Sequence, residues 1–369
     1  MIDFPAARSP HATGVDDDAP RGESPVHRPP LPAPRGPVSA AVLDVLAGRA
    51  DPAGMALLPD GLDPYGDDLQ LALYVAYELH YRGFDGVDAE LEWDPDLLRL
   101  RRVLERTFLA ALTRDVAGGD DVDAVVGALL VEPAGVPADA GPSYHLAARG
   151  EPWQLREYVT HRSLYHLKEA DPQAFVIPRL DGQAKASLVT VEHDEYGAGR
   201  GEDLHAQLFA DMMTELGIDA RYGVHLDAAP AETLATVNVM SLMGLHRRWR
   251  GALVGQFALV EITSPPGSAR LVEAMRRMEL PAAATRFYDE HVEADAVHEQ
   301  LVRRGLLGDL LAREPELAGD VVFGIQAATL LDERLDAHLM RSWEAGESSL
   351  RPPDPAAGES SGAESSRAA

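Results

Sequence analysis

The chain has 369 residues, enough to bury a substantial core in one large domain or two ordinary ones, and it contains no cysteine, so disulfides, zinc-finger sites, iron–sulfur clusters and cysteine nucleophiles are excluded. Acidic residues outnumber basic ones by 60 to 33, a formal net charge of −27, and such a surface repels phosphate backbones and anionic headgroups, so neither nucleic acid nor membrane is an expected partner. No apolar run approaches the roughly 20 residues of a membrane span, and the first residues lack the apolar stretch of a signal peptide, so the expected location is cytoplasmic.

Residues 1–37 are rich in Pro, Ala, Arg and Asp without apolar periodicity, and 347–369 are Ser, Gly, Ala, Pro and Glu. Both read as disordered tails. Between them almost everything predicts helix. An N-terminal helical region, 38–140, carries helices over 69–80 and 96–115. The second has Asp96 as an N-cap-type residue and an apolar stripe at 97, 98, 100, 103, 104, 108 and 109. The Gly- and Pro-containing stretch 116–140 marks a soft boundary. The second region, 141–346, predicts helices over 153–170 (closed by Pro172), 182–196, 203–217, 230–246, 247–263 (closed by Pro265 and Pro266), 268–278, 286–304 and 320–343. Only 175–178 reads as extended. Many helices with short connections imply an all-α bundle.

Chemistry concentrates in a few strings. His291, Asp295 and His298 stand at i, i+4 and i+7, one stripe of a helix. Two imidazoles and a carboxylate suit iron or manganese; the alternative is a solvated acidic face. Glu261 is the only charge between Arg250 and Arg270. An acid among Phe257, Ala258, Leu259, Val260 and Ile262 is a metal ligand, an arginine partner or a snorkelling side chain. Glu195 and His205 are further candidates. Gly197, Gly199 and Gly201 lie between them and weaken any continuous helix, so a broken segment could turn both inward. His161, His166 and Glu169 cluster on one predicted helix, with the histidines read as structural. Glu78 and His80 read as packing and hydrogen-bonding groups. The basic run His246–Arg250 either balances buried acids or grips a substrate carboxylate.

The strings YELHYRGF (77–84), HRSLYHLKEADP (161–172), DEYGAGR (194–200), LHAQLF (204–209), SLMGLHRRWRGALVGQF (241–257) and EHVEADAVHEQ (290–300) together resemble the heme-oxygenase-like diiron oxidases and oxygenases, more narrowly the bacterial iron-containing redox enzymes. The resemblance covers most of 60–345. It implies a heme-oxygenase-like helical bundle with an N-terminal helical extension. It also implies a ligand set: Glu195 and His205 from one helix, Glu261 from a second, His291, Asp295 and His298 from a third, and Glu169 as an extra carboxylate. The implied cofactors are two iron ions moving between Fe(II) and Fe(III), with O2 as co-substrate. The implied partner is a small-molecule substrate, and a homodimer is a further expectation, with 38–140 as dimerisation element or lid. N-oxygenation of an amine or amino acid in secondary metabolism is the expected reaction, with Glu169, where it is not a permanent ligand, receiving the amine proton and Arg247–Arg250 the carboxylate. The alternatives are oxidative C–H or C–C cleavage of a carboxylic acid, and a non-catalytic metal-binding helical protein.

Overall fold

The most apolar stretches of the sequence become its central helices. Leu69–Glu78, Thr233–Gly244 and Gly251–Leu259 are buried along their whole length, as expected of helices without a polar face. The computed structural model describes residues 28–54, 61–131, 136–137 and 139–352, without the side chains of 293–297. In chain order the helices are α1 (Pro37–Leu46), α2 (Asp67–Glu78), α3 (Pro95–Asp115), α4 (Val122–Leu129), α5 (Pro142–Ala148), α6 (Pro152–His166) and α7 (Asp171–Ala174), then α8 (Gly182–Glu195), α9 (His205–Glu215), α10 (Ala231–Leu245), α11 (Arg250–Arg277), α12 (Ala282–Gln300), α13 (Gly308–Arg313) and α14 (Ala318–Glu344). No strand occurs among the described residues, so the fold is the all-α bundle that the pattern predicts. The segment 175–178 leads into a 3₁₀ turn, Ile177–Arg179, rather than an extended run. Of the expected tails, 1–27 and 353–369 lie outside the described residues.

Three boundaries differ from expectation. The N-cap of α3 is Asp94, whose carboxylate accepts from the N–H groups of Asp96 and Leu97, with Pro95 at the first helical position. Pro265 and Pro266 do not end a helix; α11 runs through both. Each ring removes one helical hydrogen bond, but α11 is clasped along its length by α12 and α14, and that packing outweighs the loss. The predicted helix 153–170 ends at His166, so Glu169 stands on a turn. Beyond α12 the chain widens into a π-helical segment, Leu301–Leu307, against α8.

Two apolar cores result. One joins residues from Val38 to Leu331 and includes α1, α2 and α3, so the N-terminal helices share a core with the rest of the bundle. The other gathers Leu146, Phe209, Met275, Phe287, Trp343 and their neighbours. Among the described residues no helix is long and apolar enough to cross a membrane.

The contact between α11 and α14 depends on glycine. A Cβ on Gly255 would stand 2.1 Å from the Val321 carbonyl oxygen, and one on Gly324 would stand 1.9 Å from that of Ala252. Backbone, unlike a side-chain tip, has no rotamer in which to withdraw. Gly324→Ala must therefore spread the two helices, at a cost of about 1–3 kcal/mol for overpacking. Chemical denaturation should show that loss; a variant as stable as the parent would show that the helices can separate freely.

Candidate metal centre

Six of the seven residues expected as ligands have described side chains, and the fold brings all six into one region. Two groups of buried ligand atoms form among the described residues, each with atoms within 4.8 Å of one another. The first is Glu169, Glu195, His205 and His291; the second is Glu195, Glu261 and His298. Glu195 belongs to both. The side chain of Asp295, the seventh, lies outside the described residues.

Local sequence explains how the separated residues meet. Glu195 closes α8 and His205 opens α9. Between them Gly197, Ala198 and Gly199 adopt positive φ values of 68°, 51° and 85°, a left-handed reversal natural to glycine. A Cβ on Gly197 would meet the Asp203 carbonyl carbon at 2.6 Å. The glycine string is thus the hinge that folds Glu195 onto His205. On α12, His291 Nδ1 stands 2.8 Å from the carbonyl oxygen of Phe287 one turn back. Only an Nδ1–H can donate there, which turns Nε2 toward Glu169, 3.9 Å away. His298 on the same helix lies between Glu261 (3.2 Å from Nδ1) and Asp194 (3.1 Å from Nε2).

His298 is hydrogen-bonded to Glu261 and Asp194, but the contacts around Glu169, Glu195 and His205 are not those of a hydrogen-bonded network. His205 Nδ1 is 2.7 Å from Glu195 Oε2, yet neither atom makes an aligned hydrogen bond. His166 Nδ1 is 3.0 Å from Glu169 Oε1 with the same misalignment, and Glu169 Oε2 has no hydrogen-bond partner. Buried polar atoms are rarely left so. Atoms that crowd this closely without bonding are aimed at a common third point. Donors about 2.1 Å from an ion lie up to about 4.2 Å apart, close to the spacing found. The N/O set with no thiolate fits iron.

Charge gives the same picture. Burial works to raise the Glu169 pKa, but His166 and His291 outweigh it and hold the carboxyl well below the usual range. Burial alone would lower the pKa of His205; the charge of Glu195 reverses this and raises it. Glu192, one turn before Glu195, has no such partner. Burial, then the charges of Glu195 and Glu261, push its carboxyl up to about 9, and neither of its oxygens is hydrogen-bonded.

Beside the cluster lies a cavity of about 180 Å³, lined among others by Glu169, Glu195, Glu261 and His291, by Phe257 and Leu271, and by Arg162, Tyr288 and Asp332. Sequence reasoning missed three residues at or near the cluster. His166, read as structural, lines this cavity against Glu169. Asp194 and Glu192 flank Glu195, and their only signal was the acidic run before the glycines. His161 is structural as read, satisfied by Thr233 and Ser349 at 2.7 and 3.0 Å. The basic run is elsewhere. Arg247 and Arg250 line a separate cavity of about 490 Å³ with Arg179 and Arg313. It shares no residue with the first, and Arg250 precedes Glu261 by eleven residues of α11, about 16 Å. Arg248 pairs with Asp320 and Arg250 with Glu314, so of the two readings the run balances acids, though not those of the centre.

The iron-containing redox enzyme family model matches residues 156–333, a little under half of the chain, and the match encloses all seven expected ligand residues. This stretch is thus similar to the iron-containing redox enzymes. Among curated proteins none matches the chain. The two buried Glu/His groups lie within the matched stretch and could hold a metal ion, and α2 with its partners α1 and α3 lies outside it.

The Glu192 carboxyl makes stability depend on pH. The unfolded group ionises near 4.5, the folded one near 9. Between those values the unfolded chain gives up a proton that the folded chain keeps, so this group's contribution is full below about 4.5 and is lost as pH rises toward 9. Glu192→Gln, neutral throughout, should make the metal-free protein more stable at pH 8 by on the order of 1–3 kcal/mol, with little gain at pH 5. Denaturant titrations at the two pH values test this. The same gain at both would mean that Glu192 does not hold its proton.

Proposed function

We propose that the protein is an O2-activating non-heme diiron oxidase or oxygenase acting on a small molecule. The observation that carries this reading is the sharing of Glu195 between two groups of buried ligands. Glu169, His205 and His291 would hold one iron and Glu261 and His298 the other, with Asp295 expected from the sequence as a further ligand. Bound iron supplies electron transfer and a binding place for O2.

The chain's own residues do the rest. Phe257, Val260, Leu271 and Phe287 line the cavity with apolar surface and keep water from the reacting atoms. Arg162, 3.2 Å from Asp332, offers a guanidinium at the same cavity. The Tyr288 hydroxyl is buried there without a hydrogen-bond partner. A guanidinium and a phenol O–H together receive a substrate carboxylate, so Arg162 takes the role expected of Arg247–Arg250. Asp332, at the same cavity, would then receive an ammonium group, and an amine must lose its proton before its lone pair can react. A small amino acid suits this set best, which supports N-oxygenation over cleavage of a long apolar acid.

Metal content tests the centre. Anaerobic titration should saturate near two Fe(II) per chain, and Glu261→Ala or His298→Ala should lower that number, while Glu215→Ala on the exposed face of α9 should not. An end point at one ion in the parent protein would sink the dinuclear reading, and no binding above background would favour a non-catalytic scaffold.

Substrate class needs a separate measurement. The Fe(II)-loaded protein is mixed with O2 in the presence of amino acids, guanidines or fatty acids, and O2 consumption is followed. Amino acids should accelerate it, and Arg162→Ala should raise their KM by roughly tenfold or more, the loss expected of a charged hydrogen bond. Acceleration by fatty acids alone, with every nitrogen unoxidised in the products, would establish the C–H or C–C cleavage reading instead.

A further inference from the structure

Glu169 differs from the other five described ligand residues in where it stands. Glu195, His205, Glu261, His291 and His298 belong to α8, α9, α11 and α12. Glu169 lies three residues past the end of α6, on a turn. A helix holds its residues through its own backbone bonds; a turn needs anchors from elsewhere. Here the anchors come from α2, in the N-terminal region outside the family match.

Lys168, next to Glu169, is 2% exposed, and its Nζ lies 2.9 Å from Glu78 Oε2, itself 1% exposed. The ammonium also stands over the rings of Tyr81 at 4.1 Å and Tyr74 at 5.0 Å. The Tyr222 hydroxyl donates to the other Glu78 oxygen at 2.7 Å. Arg82, which follows α2, donates to the Leu167 carbonyl at 3.1 Å. The two residues before Glu169 are thus both gripped from the end of α2.

Such a pair is costly for mere stability. Two buried charges often do no better than apolar residues of the same volume, and their best-attested use is to fix one arrangement among several. We propose that α2 is a working part of the metal centre: Glu78 is a positioning residue that, through Lys168, sets the carboxylate of Glu169 against His291 and His205. The inference rests on the reading of Glu169 as an iron ligand. It gives the N-terminal helices a role other than lid or dimer contact, and it means that the matched stretch alone holds an incompletely fixed site.

A double-mutant cycle on the full chain separates positioning from general support. Fe(II) affinity is measured anaerobically by competition with a chromophoric chelator in the parent, Glu78→Gln, Glu169→Ala and the double variant. Glu78→Gln should weaken binding by ~10-fold, the scale of an outer-sphere partner. In the Glu169→Ala background the same change should have an effect within about twofold, because Glu78 has no ligand left to position. Leu43→Ala, which opens the core under α1 and α2 without touching the pair, should lower the melting temperature and leave affinity alone. Should Glu78→Gln fold poorly, Glu78→Leu with Lys168→Met removes both charges at once and should show the same loss. Additive effects of Glu78→Gln and Glu169→Ala, or an equal loss in Leu43→Ala, would overturn the proposal and leave the diiron reading intact. A parent that binds no Fe(II) would overturn both.

Discussion

Four carboxylates of one sign are buried together in this bundle. Glu169, Glu192, Glu195 and Glu261 are each at most 6% exposed and act on one another electrostatically. Two unit charges about 5 Å apart repel by roughly 3 kcal/mol even at an effective dielectric constant of 20, and each has also lost its water. The protein meets this load in three ways. Glu192 keeps its proton. His166, His205, His291 and His298 stand against the ionised groups. The remainder is left for bound cations, which the N/O donor set suits.

The architecture around the cluster follows from that demand. The centre lies at the seam between the two apolar cores: Phe257 and Ile262 of the first and Leu208 and Phe287 of the second flank its ligands in sequence. A seam is where side chains from four helices can converge without leaving a void in either core. The devices that hold it are backbone devices. Left-handed glycines fold α8 back toward α9, and two glycines let α11 and α14 touch, so that α11 carries Glu261 at a fixed height. Only Glu169 lacks a helix, and the buried pair Glu78–Lys168 stands where one is missing. Polar groups cost most where they are least hydrated, so an arrangement that buries so many has few alternative packings of equal energy.

Much of this was legible one segment at a time. Helical spacing placed His291 and His298 on one stripe, and the isolation of Glu261 among apolar residues marked it as a buried acid needing a partner. The glycines after Glu195 signalled a broken helix, and the break is what pairs it with His205. Other features were hidden because their cause is tertiary. Proline chemistry argues for a helix end at Pro265, and only the clasp of α12 and α14 shows why α11 continues. The sequence 161–169 reads as one helix with two structural histidines, although the chain leaves the helix at His166 and carries that residue into the cavity. The run His246–Arg250 could be read as balancing buried acids or as a substrate anchor, because position along a chain does not tell which end of a helix faces a site.

Local pattern therefore determined the class of fold, the exclusion of thiolate chemistry and which histidines and isolated acids were candidates for a hard cation. These depend on residue type and on short-range periodicity, and both are written in the order of amino acids. Tertiary structure decided which of those residues share an oxygen-and-nitrogen shell, that Glu195 is the one common to both groups, and that Arg162 rather than Arg250 faces the cavity. It also decided that α2 reaches across the bundle to the turn bearing Glu169. Such facts rest on distances between residues far apart in the chain, up to 170 positions for Arg162 and Asp332, set by how helices pack, and helix packing is a property of whole surfaces that no short segment specifies.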